Sequence, residues 1–282
     1  MKSIANKIHK GLATVYTDGE IKALTRILAT EMLGVSQMVF YMKDDITLTA
    51  EQTTLLGSAI ERLQQHEPIQ YILGYSDFCG LRFKVTPATL IPRPETSELV
   101  EWITGEANGK GNILDIGTGS GCIAVSLAHS IPQATVSAWD ISAEALAVAT
   151  ENSKANNCAV TFKQVDILAY EPKGEEFDII VSNPPYIKEV EKEQMEANVL
   201  DWEPHTALFV PDNDPLLFYR TIAQKATQML SPGGKLYFEI NRAYGKATCD
   251  MLASIGYTDI ELRKDFADND RMIRAVKKLE TI

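Results

Sequence analysis

The sequence predicts an α/β protein: a mostly parallel, doubly wound sheet of seven strands, preceded by a small helical domain and a β-hairpin linker. Three observations carry this expectation. Apolar residues recur at helical spacing through the first 75 residues. Short apolar pieces set between glycines and prolines follow. From residue 112 onward, apolar runs alternate with amphipathic stretches, as in parallel strands joined by covering helices. The expected domains are residues 1–75 (a helical bundle), 76–95 (the hairpin linker) and 96–282 (the sheet domain).

In the first of these, Thr17 and Glu20 form a capping-box pattern ahead of Ile21, Leu24, Ile27, Leu28 and Met32, with Gly34 as the stop. Thr49 and Gln52 repeat it before Leu55, Leu56, Ala59, Ile60 and Leu63, and Pro68 marks the end. Between residues 69 and 95, Gly74, Gly80, Pro87, Pro92 and Pro94 punctuate pieces such as Leu81–Val85, which suits a hairpin. The run Leu90-Ile91-Pro92-Arg93-Pro94-Glu95-Thr96 is more than a linker needs, and leads into a helix with Leu99, Val100, Trp102 and Ile103. Expected strands are 112–116, 135–139, 160–165, 177–182, 235–240, 258–262 and 272–276. The helices between them start near Gly121, at Ala143 and at Pro215, the last one ending at Pro232-Gly233-Gly234.

Composition narrows the function. The chain has 282 residues, 45% hydrophobic and 23% charged, with a net charge of -11, which argues against general capture of nucleic-acid backbone. No apolar stretch is long enough for a membrane span, and Lys7, His9 and Lys10 interrupt what would be a leader. Four scattered cysteines and four scattered histidines give no disulfide frame and no metal site, so a cytoplasmic protein with reduced thiols is expected.

Two motifs carry chemistry. Asp115-Ile116-Gly117-Thr118-Gly119-Ser120-Gly121 joins the first strand to its helix, where glycines allow a tight turn and close approach of a ligand. Asp140, 23 residues beyond Gly117 at the end of the second strand, is placed to accept from both hydroxyls of a ribose. The spacing is G-x-G-x-G rather than the dinucleotide G-x-G-x-x-G. Asp115 would repel a pyrophosphate but attract an ammonium group. S-adenosyl-L-methionine, with a ribose, an ammonium, a sulfonium and no phosphate, fits better. Asp166-Ile167, ending the third strand, suits adenine, or simply closes a turn.

The second motif is Asn183-Pro184-Pro185-Tyr186, at the carboxyl end of the apolar strand 177–182. Two prolines remove two backbone donors and stiffen the turn. The Asn183 side-chain oxygen and the Pro184 carbonyl are then paired acceptors for a planar NH2 group, with Tyr186 as a flat face beside it. A proline turn that merely ends a strand is the plainer alternative. Arg93 either touches a substrate backbone or pairs with a carboxylate of the same domain. Glu239 is expected to be structural, satisfying nearby loop amides.

With these residues in place, the sequence resembles the HemK/PrmC family of glutamine N5-methyltransferases, over nearly its whole length. The resemblance rests on Tyr71-Ile72-Leu73-Gly74, the run from Leu90 to Thr96, Asp115 to Cys122, Asn183 to Ile187, and Glu203-Pro204 with Ala207-Leu208. It implies a Rossmann-like class I methyltransferase sheet, with the helical domain as a candidate for recognising substrate. It also implies methylation of the glutamine in the Gly-Gly-Gln motif of class I peptide chain release factors. Gly117 to Gly121 and Asp140 would hold the cofactor, and Asn183 to Tyr186 the substrate amide. Two positions depart from the pattern: Ser97, where an acid is common, and Asn241, where glycine is common. The alternatives are a glutamine methyltransferase of a large-subunit ribosomal protein, an adenine N6 methyltransferase, and a cofactor-binding protein without catalysis. An adenine enzyme would need a duplex-gripping surface, and no separate basic module is present.

Overall fold

A computed structural model describes residues 1–42, 46–107 and 109–279. The last three positions expected in the sheet domain, 280–282, lie outside the described residues. The chain forms two compact units, Met1–Gly74 with Glu196–Trp202, and Tyr75–Met195 with Glu203–Ile282.

The first unit is helical: α1 (Lys2–Leu12), α2 (Asp18–Ile27), α3 (Gln37–Met42), α4 (Ala50–Gln64) and α5 (Ile69–Leu73). Both capping boxes form. Thr17 N–H donates to Glu20 at 2.8 Å and Thr49 N–H to Gln52 at 3.0 Å, which satisfies donors the first turn leaves open. Ile8, Leu12, Leu28, Leu56 and Leu63 meet in one core. Helices α1 and α4 cross so closely that a Cβ on Gly11 would lie 2.5 Å from Ile60. Pro68, expected to mark the end of α4, also caps the start of α5, so the chain stays helical as far as Leu73, and Gly74 closes the turn at φ +82°.

The second unit opens with the hairpin β1 (Tyr75–Phe78) and β2 (Leu81–Lys84), turned by Cys79 and Gly80, both at positive φ. Asn152 docks it by exchanging two hydrogen bonds with the Lys84 backbone, at 2.7 and 2.9 Å. Then follow α6 (Pro94–Glu106), β3 (Lys110–Ile116), α7 (Cys122–Ser130), β4 (Gln133–Asp140), α8 (Ala143–Ala155), β5 (Val160–Gln164) and β6 (Phe177–Ser182). After a long excursion containing β7 (Ile187–Lys188), α9 (Ala197–Leu200, which belongs to the first unit) and β8 (Phe209–Val210) come α10 (Leu217–Met229), β9 (Leu230–Glu239), α11 (Gly245–Ile255), β10 (Thr258–Lys264) and β11 (Asp270–Val276).

The seven-stranded sheet has the order β10-β11-β9-β6-β3-β4-β5, with β11 antiparallel to both its neighbours, so the expected doubly wound class is borne out. Successive strand residues feed opposite faces. Leu114, Ile180, Leu236 and Phe238 pack with Tyr219 and Ile222 of α10, whereas Ile113, Val181 and Tyr237 pack with Leu99 of α6 and Leu127 of α7. Such strands read as continuous apolar runs because both faces are covered. Pro232-Gly233-Gly234, expected to end a helix ahead of the strand, instead forms a bulge within β9. Its partners in β6 step from Phe177↔Leu230 to Ile179↔Lys235. A Cβ on Gly234 would lie 2.9 Å from the Ser231 carbonyl oxygen.

Glu106, at the end of α6, packs over the interior strands β9 and β11. It accepts from Trp102 Nε1 at 2.5 Å, Arg274 Nη1 at 2.7 Å, Lys235 Nζ at 2.7 Å and Tyr237 OH at 2.8 Å. Burial alone would raise its pKa, but these four donors outweigh it and hold the carboxyl down at about 2. A depressed carboxyl contributes stability above its unfolded pKa, near 4.5, and loses it as the pH falls towards 2. Glu106→Gln is therefore expected to lower the melting temperature at neutral pH and to flatten the acid side of the stability profile. Melts between pH 2 and 7 test this, and parallel curves for both proteins would contradict it.

Candidate active site

The sheet order reverses between β3 and β6, since the chain runs from β3 through β4 to β5 and returns to β3's other side as β6. Open α/β sheets leave a crevice beyond the carboxyl ends of strands at such a point. Here the Ser182 hydroxyl donates to the Ile116 carbonyl at 2.6 Å and ties the two strand ends together. A cavity of about 360 Å³ opens there, entirely within the second unit.

One wall is the glycine loop. The Gly117 and Thr118 amides donate to the Trp139 carbonyl at 2.8 and 3.0 Å, pinning the loop to β4. Gly119 sits at φ +55°, which suits a residue without Cβ, and faces the cavity. Asp140 accepts from the Gly119 amide at 2.8 Å and from the Ser142 amide at 2.9 Å. Burial raises its pKa, opposed by these amide bonds. Each carboxylate oxygen keeps a lone pair free for a hydroxyl. Beside it lie Ile141, Val165, Asp166, Ile167 and Leu168, a mainly apolar slot. The Asp166 carboxylate accepts from the Leu168 amide at 2.9 Å, which shapes the turn.

The opposite wall carries Asn183, Pro184 and Pro185. Among the described residues no partner occupies the Asn183 side-chain amide. The expected acceptor pair and the glycine loop thus line one cavity.

Other sequence-selected residues lie elsewhere. Asp115 is not in the cavity wall. It is fully buried behind the loop, where its Oδ2 accepts from the Thr118 hydroxyl at 2.6 Å, while its Oδ1 lacks a well-formed partner among the described residues. Burial pushes this carboxyl up to about 7, against the Thr118 bond. Burial thus weakens the negative charge that the sequence reading placed at the loop. Thr118, Ser120 and Gly121 also lie outside the wall and serve the loop's packing: a Cβ on Gly121 would lie 3.0 Å from that of Ala149.

Tyr186 does not flank the two prolines in the cavity wall. Its N–H donates to the Leu208 carbonyl at 3.2 Å and its ring packs against the core. Arg93 is not in the wall either. Its Nη2 donates to Glu203 Oε1 at 2.5 Å, and the other Glu203 oxygen accepts from the Ile91 amide at 3.1 Å. Of the two readings for Arg93, pairing with a carboxylate is the one the geometry supports. Glu239 also differs from expectation, since its partner is the Thr96 hydroxyl at 2.6 Å rather than a loop amide. Burial raises the Glu239 pKa to about 7, with Thr96 and Arg271 opposing.

The unusual run from Leu90 to Thr96 is thus held at both ends by buried carboxylates, Glu203 through Ile91 and Arg93, and Glu239 through Thr96. Ala88 to Leu90, and Pro204, Thr206 and Ala207 beyond Glu203, form the rim of the cavity. Sequence reasoning missed this clasp, although Glu203-Pro204 was a visible motif, because its partners lie 110 and 112 residues away. Glu203→Ala is expected to cost on the order of 2 kcal/mol, less than a fully buried pair because the Arg93 side chain is 33% exposed. Denaturant melts would measure it, and an unchanged midpoint would contradict the clasp.

The family model described as Methyltransferase small domain matches residues 95–201, and the PrmC N-terminal domain model matches residues 12–74. The chain is 51% identical to a release factor glutamine methyltransferase of Bacteroides thetaiotaomicron, covering 98% of this chain and 99% of that one. It is 45% identical to one of Flavobacterium psychrophilum, covering 97% and 98%. In fold alone it is like a methyltransferase crystal structure from Pyrococcus furiosus, with TM-score 0.53 and 18% identity over 79% of this chain and 100% of that one.

Proposed function

This chain belongs to the release factor glutamine methyltransferase family, and from that premise we propose that it methylates class I peptide chain release factors on N5 of the glutamine in their Gly-Gly-Gln motif. The methyl donor is S-adenosyl-L-methionine. One observation carries the reading: an asparagine amide without a partner among the described residues and a donor-free proline turn share a single cavity with a glycine loop and its following acid. The apolar slot suits adenine, the Asp140 carboxylate suits ribose hydroxyls, and the wall presents no cation that a phosphate would need. No helix among the described residues is long and apolar enough to cross a membrane, and we place the reaction in the cytoplasm, where translation terminates.

When bound, S-adenosyl-L-methionine would supply an electrophilic methyl group on a sulfonium, which leaves as the neutral thioether S-adenosyl-L-homocysteine. The chain's own residues do the rest. A carboxamide nitrogen is a poor nucleophile because its lone pair is delocalised into the carbonyl. The Asn183 side-chain oxygen and the Pro184 carbonyl each accept one N–H of the substrate amide, orienting the nitrogen and enriching it. As the nitrogen gains positive charge its N–H groups bind those oxygens more tightly, so the transition state is favoured over the ground state. Pro185 keeps a competing N–H donor away from the site. No strong base is required, because the proton leaves after transfer. The nearby carboxylates of Asp140 and Asp166 are already engaged by backbone amides.

Incubation with methyl-labelled cofactor and, in parallel, a release factor, a large-subunit ribosomal protein or duplex DNA tests the proposal. Label on the release factor supports it. Label on either of the others alone replaces it with the corresponding alternative substrate.

A further inference from the structure

We infer that Asn241 is a positioning residue for the acceptor turn, a role that rests on the amide-methylation reading above. The residue lies two positions beyond the end of β9, at the start of the short helical turn Arg242–Tyr244. Its carbonyl accepts from the Tyr244 N–H at 2.9 Å, and three further hydrogen bonds tie it to its surroundings. Its backbone N–H donates to the hydroxyl of the buried Tyr219 at 3.2 Å. Its Oδ1 accepts from the Ala243 amide at 3.0 Å, capping the short helical turn Arg242–Tyr244. Its Nδ2 donates to the carbonyl of Tyr186 at 3.3 Å. The orientation of the amide follows from these partners: the Ala243 N–H can only donate, so the oxygen must face it, which turns the NH2 group to Tyr186.

Tyr186 is the last residue of the acceptor tetrapeptide, and its peptide is gripped from both sides. Leu208's carbonyl takes the N–H of Tyr186 at 3.2 Å and that of Ile187 at 2.9 Å, while Asn241 takes the Tyr186 carbonyl. Between this grip and the cavity stand Pro184 and Pro185, with φ fixed by their rings. A stiff arm clamped at its far end transmits that constraint to its near end, the Pro184 carbonyl and the Asn183 amide. With the clamp removed, the arm can pivot on Leu208 alone. Asn241 does not line the cavity, so its expected effect is on the rate of transfer more than on binding.

Asn241→Asp and Asn241→Ala separate positioning from capping. Aspartate still accepts the Ala243 N–H but cannot, when ionised, donate to Tyr186, whereas alanine does neither. Positioning predicts that both variants lose about tenfold in kcat, a fraction of what a 1 Å misplacement costs. KM for the release factor and Kd for the cofactor should stay within about twofold. Asn241→Asp should melt like the wild type, which excludes misfolding as the cause. A loss of kcat confined to Asn241→Ala, or a change in KM alone, overturns the inference. Wild-type protein that labels no release factor overturns the underlying reading, and the inference with it. Wild-type labelling with an Asn241→Asp variant that keeps pace overturns the inference alone.

Discussion

Asn183→Ala is expected to slow single-turnover methyl transfer on the order of 100-fold or more, the scale of losing one oriented polar group at a developing charge. The loss should persist at saturating cofactor and saturating release factor, because the Asn183 oxygen acts on the nitrogen as its charge grows. Asn183 also lines the space assigned to the cofactor, so a small change in cofactor affinity accompanies it. A rapid-quench time course with the cofactor preloaded separates the two. Wild-type speed in the variant would remove Asn183 from the chemistry and leave its turn as a strand ending.

Asp140→Ala has the second-largest expected effect, on binding instead of rate. Two charge-assisted hydrogen bonds to ribose hydroxyls, at about 1.5 kcal/mol or more each, correspond to a roughly 100-fold weaker cofactor Kd. Asp140 also holds the Gly119 and Ser142 amides, so part of the loss comes from a loosened loop. Asp140→Asn divides the contributions, because one oxygen survives to hold a backbone amide. Calorimetric titration should rank wild type tightest, then Asn, then Ala. An unchanged dissociation constant for Asp140→Ala would place the ribose elsewhere.

The fold was legible wherever burial leaves a periodic trace. Strands covered on both faces appear as near-continuous apolar runs, as in Ile179-Ile180-Val181 of β6, and the two capping boxes announce their helices three residues ahead. Features that rest on pairing were not legible. The two-residue strands β7 and β8 are too short to show a period, and the Pro232–Gly234 bulge looks from the sequence like an ordinary loop. At the site, local chemistry selected Asn183, Pro184 and Pro185, because an asparagine with two donor-free neighbours needs no distant partner to be unusual. Arg93 and Tyr186 were different. Their surroundings come from Glu203, Leu208 and Asn241, whose distance along the chain carries no signal in a single sequence. Asp115 shows the same limit, since the sequence supplies its charge but not the burial that brings its pKa up to about 7.

The most direct test is to locate the transferred methyl group. After one turnover on an intact release factor, fragmentation mass spectrometry should place a single added methyl on the side-chain amide nitrogen of the Gly-Gly-Gln glutamine. Replacing that glutamine by glutamate, which has no N–H to give Asn183 and Pro184, should abolish the modification. A methyl group found on any other residue, or undiminished labelling of the glutamate variant, would contradict the account.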